Sequence, residues 1–387
     1  APAVKVVDFD LGLANGCAVV DTAAPANEVR CWGAAQYGVL GAGVADDIGD
    51  DAGEAPVVIA LVDASPTAVR VGEQHACALL EGGKVRCWGK DEKSQLGQSS
   101  LASDVYFDDG IVIETLVAGG YFSCALSATK QIYCWGDNSS GQLGLPPGQT
   151  ATDPVHVSLA GDPEVAGITA GYAFVCALLE DGSAHCWGDN GEGQCGHSSA
   201  QGTIAPSEPP VITNPFSMVL AGYDQVCGAT PLDALQCWGR NDNGQLGAET
   251  SITESEVPLD TDVVYDVLQI APGYRHGCAI LDVSGKPTAK CWGADNLGQR
   301  GIEGTKSIGS NPGEMGAQIE AVHLPASFAA SRLVAGFDAT CALSLDGELT
   351  CWGDNEHGRL GLGLPATEAR GDEPGEMGEA TLLVPFD

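Results

Sequence analysis

Basic residues are scarce in this chain of 387 residues. It has 17 Lys and Arg against 52 Asp and Glu, which gives a formal net charge of −35. Nucleic-acid binding needs clustered Lys and Arg against the phosphates, and anionic membranes attract basic segments, so we expect neither partner. The acidic balance leaves open a cationic partner, divalent cations or a surface that is simply well solvated.

Long hydrophobic runs are also missing. No run approaches the roughly 18 apolar residues that a membrane-spanning helix needs, which predicts no insertion into a membrane. The chain begins Ala1-Pro2-Ala3 without Met. This start fits a mature protein whose signal peptide has been removed, but it also fits a trimmed chain, and the sequence leaves both open.

Motifs for catalysis are absent as well. The sequence has no Gly-x-Ser-x-Gly elbow, no His-Glu-x-x-His and no phosphate loop. Its seven His are scattered, and most are expected to act as structural hydrogen-bonding groups. We therefore expect a protein that is not an enzyme.

What the chain does contain is a repeat. Seven Cys-Trp-Gly copies use all seven Trp, spaced about 53 residues apart on average. The copies centre on Trp32, Trp88, Trp135, Trp187, Trp238, Trp292 and Trp352. A repeat cannot bury its apolar face alone, so residues 1–387 are predicted to form a single domain.

A second cysteine precedes each copy, and a turn signal such as Glu81-Gly82-Gly83 lies between the two. Cys77 and Cys87 are each five residues from Gly82, so they oppose each other across a β-hairpin, within disulfide reach. The predicted disulfides are Cys17–Cys31, Cys77–Cys87, Cys124–Cys134, Cys176–Cys186, Cys227–Cys237, Cys278–Cys291 and Cys341–Cys351. Zinc would require closer cysteine pairs or nearby His.

Seven disulfides indicate an oxidising compartment. We expect a protein that is secreted, extracellular or displayed on the cell surface, with the periplasm also open. Cys195 has no partner. It stands where other repeats have Leu, as in Gly141-Gln142-Leu143-Gly144, and is predicted to be a buried free thiol.

Each repeat is predicted to contain four strands. A first strand ends in Ala-Gly, a hairpin follows, the third strand ends at Cys-Trp-Gly, and a fourth strand follows a variable loop. The predicted fold is all-β: a seven-bladed β-propeller of four-stranded antiparallel blades, with one disulfide in each blade. A solenoid is the main alternative, but it would show polar capping repeats. The tail around 381–385 and the head around 4–12 are predicted to close the ring.

The repeat resembles that of the regulator of chromosome condensation family. The pattern Ala-Gly-x-x-His-x-Cys-Ala-Leu, then Cys-Trp-Gly-x-Asn-x-x-Gly-Gln-Leu-Gly, is clearest in 171–196 and 222–247, and His75 and His276 match the family's usual His. The resemblance implies a seven-bladed propeller. The family's nuclear exchange factors lack the paired cysteines, so a secreted bacterial member is the closer analogy. One such group, the propeller-type beta-lactamase inhibitory proteins, binds another protein across one face.

The alternating direction of the strands in a blade predicts where a binding site lies. In an antiparallel blade the turn after the first strand and the loop after the third strand emerge on one face. The first turns carry five aromatic residues, Tyr121, Tyr172, Tyr223, Tyr274 and Phe337. The loops carry acidic residues, for example in 46–54, 249–262 and 372–379. We expect these five residues to form a circle around the mouth of the channel, with the acidic residues at its rim. This surface is predicted to bind a protein or a glycan, because Tyr is typical of binding hot spots. The alternative is that the rings only pack between blades.

No cofactor is expected apart from calcium, for which Asp46, Asp47, Asp50 and Asp51 offer oxygen ligands but not the spacing of an EF-hand loop. Three functions remain open. The first is an extracellular binding propeller. The second is a self-associating subunit of a surface layer or filament. The third is an enzyme inhibitor of the propeller type.

Overall fold

The computed structural model describes residues 4–22, 26–41, 43–61, 65–97, 104–108 and 110–386. Within these ranges, 25 strands form seven antiparallel sheets. The innermost strand of each sheet contacts the innermost strand of the next, and the last contacts the first. The sheets are therefore the seven blades of a closed propeller, as the sequence predicts.

Four blades have four strands. Blade one is β1 (Lys5–Leu11), β2 (Asn15–Asp21), β3 (Glu28–Gly33) and β4 (Val57–Ile59). Blade two, with three strands, is β5 (Pro66–Val71), β6 (His75–Leu80) and β7 (Lys84–Gly89). Blade three is β8 (Ile113–Ala118), β9 (Phe122–Ser127), β10 (Ile132–Gly136) and β11 (Ala151–Val157). Blade four is β12 (Val165–Ala170), β13 (Phe174–Leu179), β14 (Ala184–Asp189) and β15 (Thr203–Ile204).

The second half of the ring repeats this order. Blade five is β16 (Met218–Ala221), β17 (Gln225–Ala229), β18 (Leu235–Arg240) and β19 (Glu254–Asp260). Blade six is β20 (Asp266–Pro272), β21 (His276–Asp282) and β22 (Pro287–Gly293). Blade seven is β23 (Ala330–Ala335), β24 (Ala339–Ser344) and β25 (Leu349–Gly353). In the loops that the structure describes, five single 3₁₀ turns lie at Gln36–Gly38, Ser199–Gln201, Gly316–Gln318, Glu356–Gly358 and Gly378–Ala380. No helix of the described residues could cross a lipid bilayer.

In the three-stranded blades an irregular segment takes the fourth position. The N–H of Val105 donates to the carbonyl of Val85 at 2.7 Å, and Val322 donates to Ala289 at 2.9 Å. In blade seven, Val384 donates to Leu349 at 2.8 Å. Every blade thus keeps four layers of chain.

The hairpin register confirms the predicted disulfides. The two cysteines of each pair are directly opposed on adjacent strands, as Cys77 and Cys87 are on β6 and β7. All seven bonds are present, with Cα atoms 4.0 to 4.1 Å apart. The longer turn of the first pair, at 25–27, lies partly outside the described residues.

The Trp of each Cys-Trp-Gly copy joins two blades. Its indole N–H donates to a backbone carbonyl in the loop of the preceding blade, as from Trp187 to Gln142 at 3.0 Å. The ring closes in the same way, since Trp32 donates to Arg359 of blade seven at 2.9 Å. A Cβ on Gly361, where φ is +66°, would lie 2.7 Å from the Trp32 ring, so this contact requires glycine.

The two ends of the chain meet at this closure through contacts between blades. Val6 of β1 donates to the carbonyl of Gly347 at 2.9 Å, and Phe386 packs edge-on against Trp32 with centroids 6.1 Å apart. The tail serves as the fourth layer of blade seven and does not share a sheet with the head. The physical reason is that the outer edge of β25 is free to accept it, whereas β1 faces the channel.

Candidate functional site at the channel mouth

As predicted, the turn after the first strand and the loop after the third strand of each blade lie on the same face. The first residue after each Cys-Trp-Gly donates its N–H to the turn that follows the innermost strand of the same blade. Asp137 donates to Tyr121, and Arg240 to Asp224, each at 2.9 Å. These turns and loops therefore share one face of the propeller, which we call the mouth face.

Backbone hydrogen bonds fix the turns around the mouth. Tyr172 donates its N–H to the carbonyl of Tyr223 at 2.9 Å, Tyr223 to Gly273 at 3.1 Å, and Tyr274 to Gly336 at 3.1 Å. Each bond runs from one blade to the next. They tie the turns that carry the aromatic residues to one another.

The five predicted aromatic residues form one connected group, which we call the aromatic cluster: Tyr121, Tyr172, Tyr223, Tyr274 and Phe337. Tyr172 stacks on Tyr223 with centroids 4.2 Å apart, and Tyr274 stacks on Phe337 at 4.3 Å. Tyr223 also meets Phe337, two blades away, at 5.7 Å. All five are half-buried. The rings thus pack on one another across the opening while keeping exposed surface.

The cluster lies at one end of the central channel. A cavity of about 430 Å³ in the channel is lined by the innermost strands and by four members of the cluster. Two lining residues from different blades, Arg70 and Arg332, donate hydrogen bonds to the Asp8 carboxylate of blade one, the first at 2.8 Å. Asp10 accepts the N–H of Val71 at 2.9 Å. Two of the few basic residues are thus used inside the propeller.

Blades one and two place Leu13 and Glu73 where the others place aromatic residues. The hydroxyl of Tyr172 donates to a carboxylate oxygen of Glu73 at 2.9 Å, across two blade boundaries. Burial, and then the hydrogen bond to Glu73, raise the pKa of Tyr121 to about 12, and the same causes raise the pKa of Tyr172. Both phenols therefore stay protonated and donate.

The opposite side of the cluster carries positive charge. The guanidinium carbons of Arg240 and Arg275 lie 5.2 and 5.0 Å from the centroid of the Tyr274 ring. Arg240 also pairs with Asp242 at 2.7 Å and with Asp224 at 3.5 Å. Burial raises the pKa of Asp224 to about 6, although Arg240 opposes this shift.

Part of the acidic rim has a structural role. Three loops share a Gly-x-x-x-Gly-Glu pattern, and the glutamate of each, Glu54, Glu314 or Glu376, accepts two backbone N–H groups of its own loop at 2.8 to 3.1 Å. Glu249 likewise accepts the N–H of Met315 at 2.8 Å. These carboxylates shape the loops, and the pattern is visible in the sequence.

One of the four aspartates predicted for calcium already has partners within the chain. Asp47 accepts the N–H of Ala35 at 2.9 Å and pairs with His357 at 2.7 Å. Among the described residues, no group of three or more His, Cys, Asp or Glu side chains could hold a metal ion. Calcium at Asp46, Asp47, Asp50 and Asp51 stays a prediction.

Tyr37 also belongs to the mouth face, although it was not predicted from the sequence. It lies in the loop after β3 with 53% of its surface exposed, and the Lys90 ammonium sits 4.1 Å from its ring centroid. The signal was its position, since Tyr37-Gly38 aligns with Ser140-Gly141 in the repeat and so belongs to the mouth face. Cys195 is free and buried, and burial raises the pKa of its thiol.

Residues 28–382 match the family model described as RCC1-like domain. The Ultraviolet-B receptor UVR8 of Arabidopsis thaliana is 26% identical over 283 residues, which cover 71% of this chain and 62% of the receptor. The Secretion-regulating guanine nucleotide exchange factor of Bos taurus is 26% identical over 361 residues, covering 87% of this chain and 76% of that protein. The chain thus spans less than two thirds of the receptor.

Solved structures share the fold. Prp20p from Saccharomyces cerevisiae, studied for its binding to Gsp1p and histones, superposes with a TM-score of 0.74 at 17% identity, covering 98% of this chain and 87% of Prp20p. The CRINKLY WD40 ectodomain of the receptor kinase ACR4 from Arabidopsis thaliana superposes with a TM-score of 0.53 at 19% identity, covering 94% and 98%. At these identities the likeness extends to the architecture alone.

Proposed function

The chain belongs to the RCC1-like domain family, and on that premise we propose that it is a non-catalytic binding propeller that acts outside the cell and recognises a partner protein through the mouth face. The aromatic cluster carries this proposal. Five half-buried rings in mutual contact form a rigid surface that still has exposed area. Tyr and Arg are the residue types enriched in binding hot spots, and both are present here.

The chemistry of the mouth favours recognition over catalysis. Tyr121 and Tyr172 have pKa values raised by burial and by Glu73, so at neutral pH their phenols are hydrogen-bond donors and not nucleophiles. Arg240 is engaged by two carboxylates. These groups can orient a partner through hydrogen bonds and charge.

The disulfides support the extracellular part of the proposal. Seven bonds, one in each blade, would not persist among the reducing thiols of the cytosol. The acidic surface adds a preference for partners that carry positive charge, because complementary charge speeds association.

The test compares two faces of the same propeller. Tyr172→Ala with Tyr223→Ala removes the stacked centre of the cluster. The matched control, Leu232→Ala with Leu345→Ala, removes two exposed side chains from hairpin tips on the opposite face, where they are 90% and 75% exposed. Cross-linking in the native extracellular medium, followed by quantitative mass spectrometry, identifies partners of each variant and of the wild type.

We expect the mouth variant to lose its partner and the tip variant to keep it. Circular dichroism melting establishes that both variants are folded, and Tyr121→Ala, at the edge of the cluster, replaces the double variant if the latter is not. A partner retained by the folded mouth variant contradicts the proposal. Light scattering separates a monomeric binder from a self-assembling subunit.

A further inference from the structure

We infer that the mouth face receives a cationic side chain, arginine or lysine, of the partner protein at the edge of the aromatic cluster formed by Glu73, Tyr121 and Tyr172. The inference rests on the proposed function and specifies the chemistry of its partner. It depends on an asymmetry in charge between the two sides of the cluster.

Glu73 is a half-buried carboxylate surrounded by phenols. It accepts the hydroxyl of Tyr172 at 2.9 Å, and the Tyr121 and Tyr172 rings meet edge to face with centroids 6.1 Å apart. A phenol hydrogen bond leaves the negative charge in place. In the described part of the chain no Lys, Arg or His side chain forms an ion pair with Glu73.

The charge of Lys90 acts on Glu73 from a distance, but the nearby basic side chains form their ion pairs with other carboxylates. The Lys90 ammonium bonds Glu92 at 3.0 Å, and Lys93 bonds Asp137 at 3.2 Å. A half-buried carboxylate with no cation in contact is costly, because it has lost water without gaining an ion pair. A cation from outside the chain would recover that loss.

The other side of the cluster shows how such a cation binds. Arg240 and Arg275 lie over the face of Tyr274, and Arg240 donates to the Tyr274 hydroxyl at 3.1 Å and pairs with Asp242. The combination of aromatic face, phenol oxygen and carboxylate is the same as at Glu73. On one side, therefore, the chain's own arginines contact these groups, and on the other side no cation of the described residues is in contact with Glu73.

The physical gain combines two effects. A guanidinium or ammonium is attracted to the electron-rich face of a tyrosine, more strongly where water is excluded. A charge-assisted hydrogen bond to Glu73 adds to this. The net charge of −35 would steer a basic partner to the site.

The experiment uses a small probe, so it is independent of the partner. The full chain is labelled with ¹³C in its tyrosine rings and titrated with N-acetyl-argininamide to about 50 mM, a range suited to weak ligands. N-acetyl-citrullinamide, which has the same shape but no charge, is the control probe. Ring signals are assigned with Tyr121→Phe and Tyr172→Phe.

We expect saturable shifts of the Tyr121 and Tyr172 signals with the arginine probe, and binding at least about fivefold weaker with the citrulline probe and with Glu73→Gln. The amide oxygen introduced by Glu73→Gln would still accept the Tyr172 hydroxyl, so the fold is preserved. The matched control is Glu373→Gln, which removes an equal charge from an exposed carboxylate of the same face and should bind as the wild type does. Tyr172→Phe keeps the ring and should retain binding, which provides a second test.

Three results overturn the inference: no saturable shift, equal binding of the neutral probe, or equal weakening by Glu73→Gln and Glu373→Gln. The last result would mean general attraction to an acidic protein. Loss of the cross-linked partner in the mouth variant together with a silent arginine probe would support the proposed function and reject only this inference.

Discussion

The Asp295 carboxylate and the Arg300 guanidinium form a buried pair in blade six, with Oδ2 and Nη1 3.6 Å apart. Blades three, five and seven place an asparagine and a leucine at these positions: Asn138 and Leu143, Asn241 and Leu246, and Asn355 and Leu360. In each blade the side-chain oxygen of the first residue accepts the N–H of the second, and Asp295 accepts that of Arg300 at 2.9 Å. A charged pair thus replaces a neutral one without changing the loop.

This pair predicts a strong coupling between two substitutions. Arg300→Leu leaves a buried carboxylate unpaired and should lower the free energy of unfolding by about 3–5 kcal/mol at about pH 8. Asp295→Asn with Arg300→Leu restores the pair of the other blades and should lie within about 1 kcal/mol of the wild type. Guanidinium denaturation with the disulfides intact measures both. A double variant as unstable as Arg300→Leu would refute the equivalence.

The same pair has a pH signature. Burial raises the pKa of Asp295 to about 7, more than Arg300 lowers it. A protonated Asp295 needs no partner, so the cost of Arg300→Leu should shrink as the pH falls below the raised pKa. The same denaturation at about pH 5 and about pH 8 tests this dependence.

Two buried histidines predict a loss of stability in acid. His75 and His276 share hydrogen bonds with the hydroxyls of Ser123 and Thr340 at 2.9 and 2.8 Å, and burial lowers the pKa of both imidazoles from 6.5 to about 4. The unfolded chain binds a proton below about pH 6.5, whereas the folded one does so only near pH 4. Each histidine should therefore cost about 2 kcal/mol of stability between about pH 7 and about pH 5.

His276→Gln isolates this effect, because Gln225 occupies the equivalent position in blade five and donates to the carbonyl of Gly273 at 3.1 Å. The urea midpoint of the variant should fall less between about pH 7 and about pH 5 than that of the wild type. Asp224 and Asp295, with raised pKa values, act in the opposite direction in both proteins. An equal fall in both proteins would show that the histidine is not the cause.

The cysteine assignment predicts a thiol count. Thiol titration of the native protein should detect no reactive group, because Cys195 is buried and burial raises the pKa of its thiol. After denaturation without a reductant, one thiol per chain should react. A larger number would mean that some of the hairpin disulfides do not form, which would remove the main support for an oxidising compartment.

Calcium removal should leave the melting temperature unchanged. Asp47 is engaged by Ala35 and His357, and the Glu54 carboxylate accepts two N–H groups of the same loop, so these oxygens already have partners. Melting in EDTA and in millimolar calcium tests this expectation. A rise in melting temperature with calcium would establish the site first suggested by Asp46, Asp47, Asp50 and Asp51.

Local features of the sequence predicted most of the fold. Counting from Gly82 placed Cys77 opposite Cys87, because hairpin register depends only on neighbouring residues. The alternating direction of the strands likewise predicted that Tyr172 and Tyr223 lie on one face of the propeller. The hydrogen bond from Tyr172 to Glu73 could not be predicted from the sequence, because it crosses two blade boundaries and depends on the width of the channel.

The hydrogen bond by which each Trp joins two blades could not be predicted from the sequence either. Trp187 is recognisable as an element of the repeat only by its recurrence along this chain, and its N–H partner, the carbonyl of Gln142, lies in another repeat. Backbone carbonyls have no sequence signature. The sequence shows that Asp295 and Arg300 replace the Asn and Leu of other repeats. That they form a buried charged pair follows only from the structure, where both side chains are buried.

The disulfides affect how the chain resists proteolysis and mechanical force. Each bond encloses a hairpin tip, and tips such as those at Leu232 and Leu345 are the most exposed apolar points of the described surface. A protease that cuts there leaves both fragments covalently joined. Under tension the blades can separate, since no disulfide of the described residues links one blade to another. The segments between paired cysteines, which are 10 to 14 positions apart in the sequence, cannot lengthen. The propeller is thus equipped for proteolytic and mechanical stress.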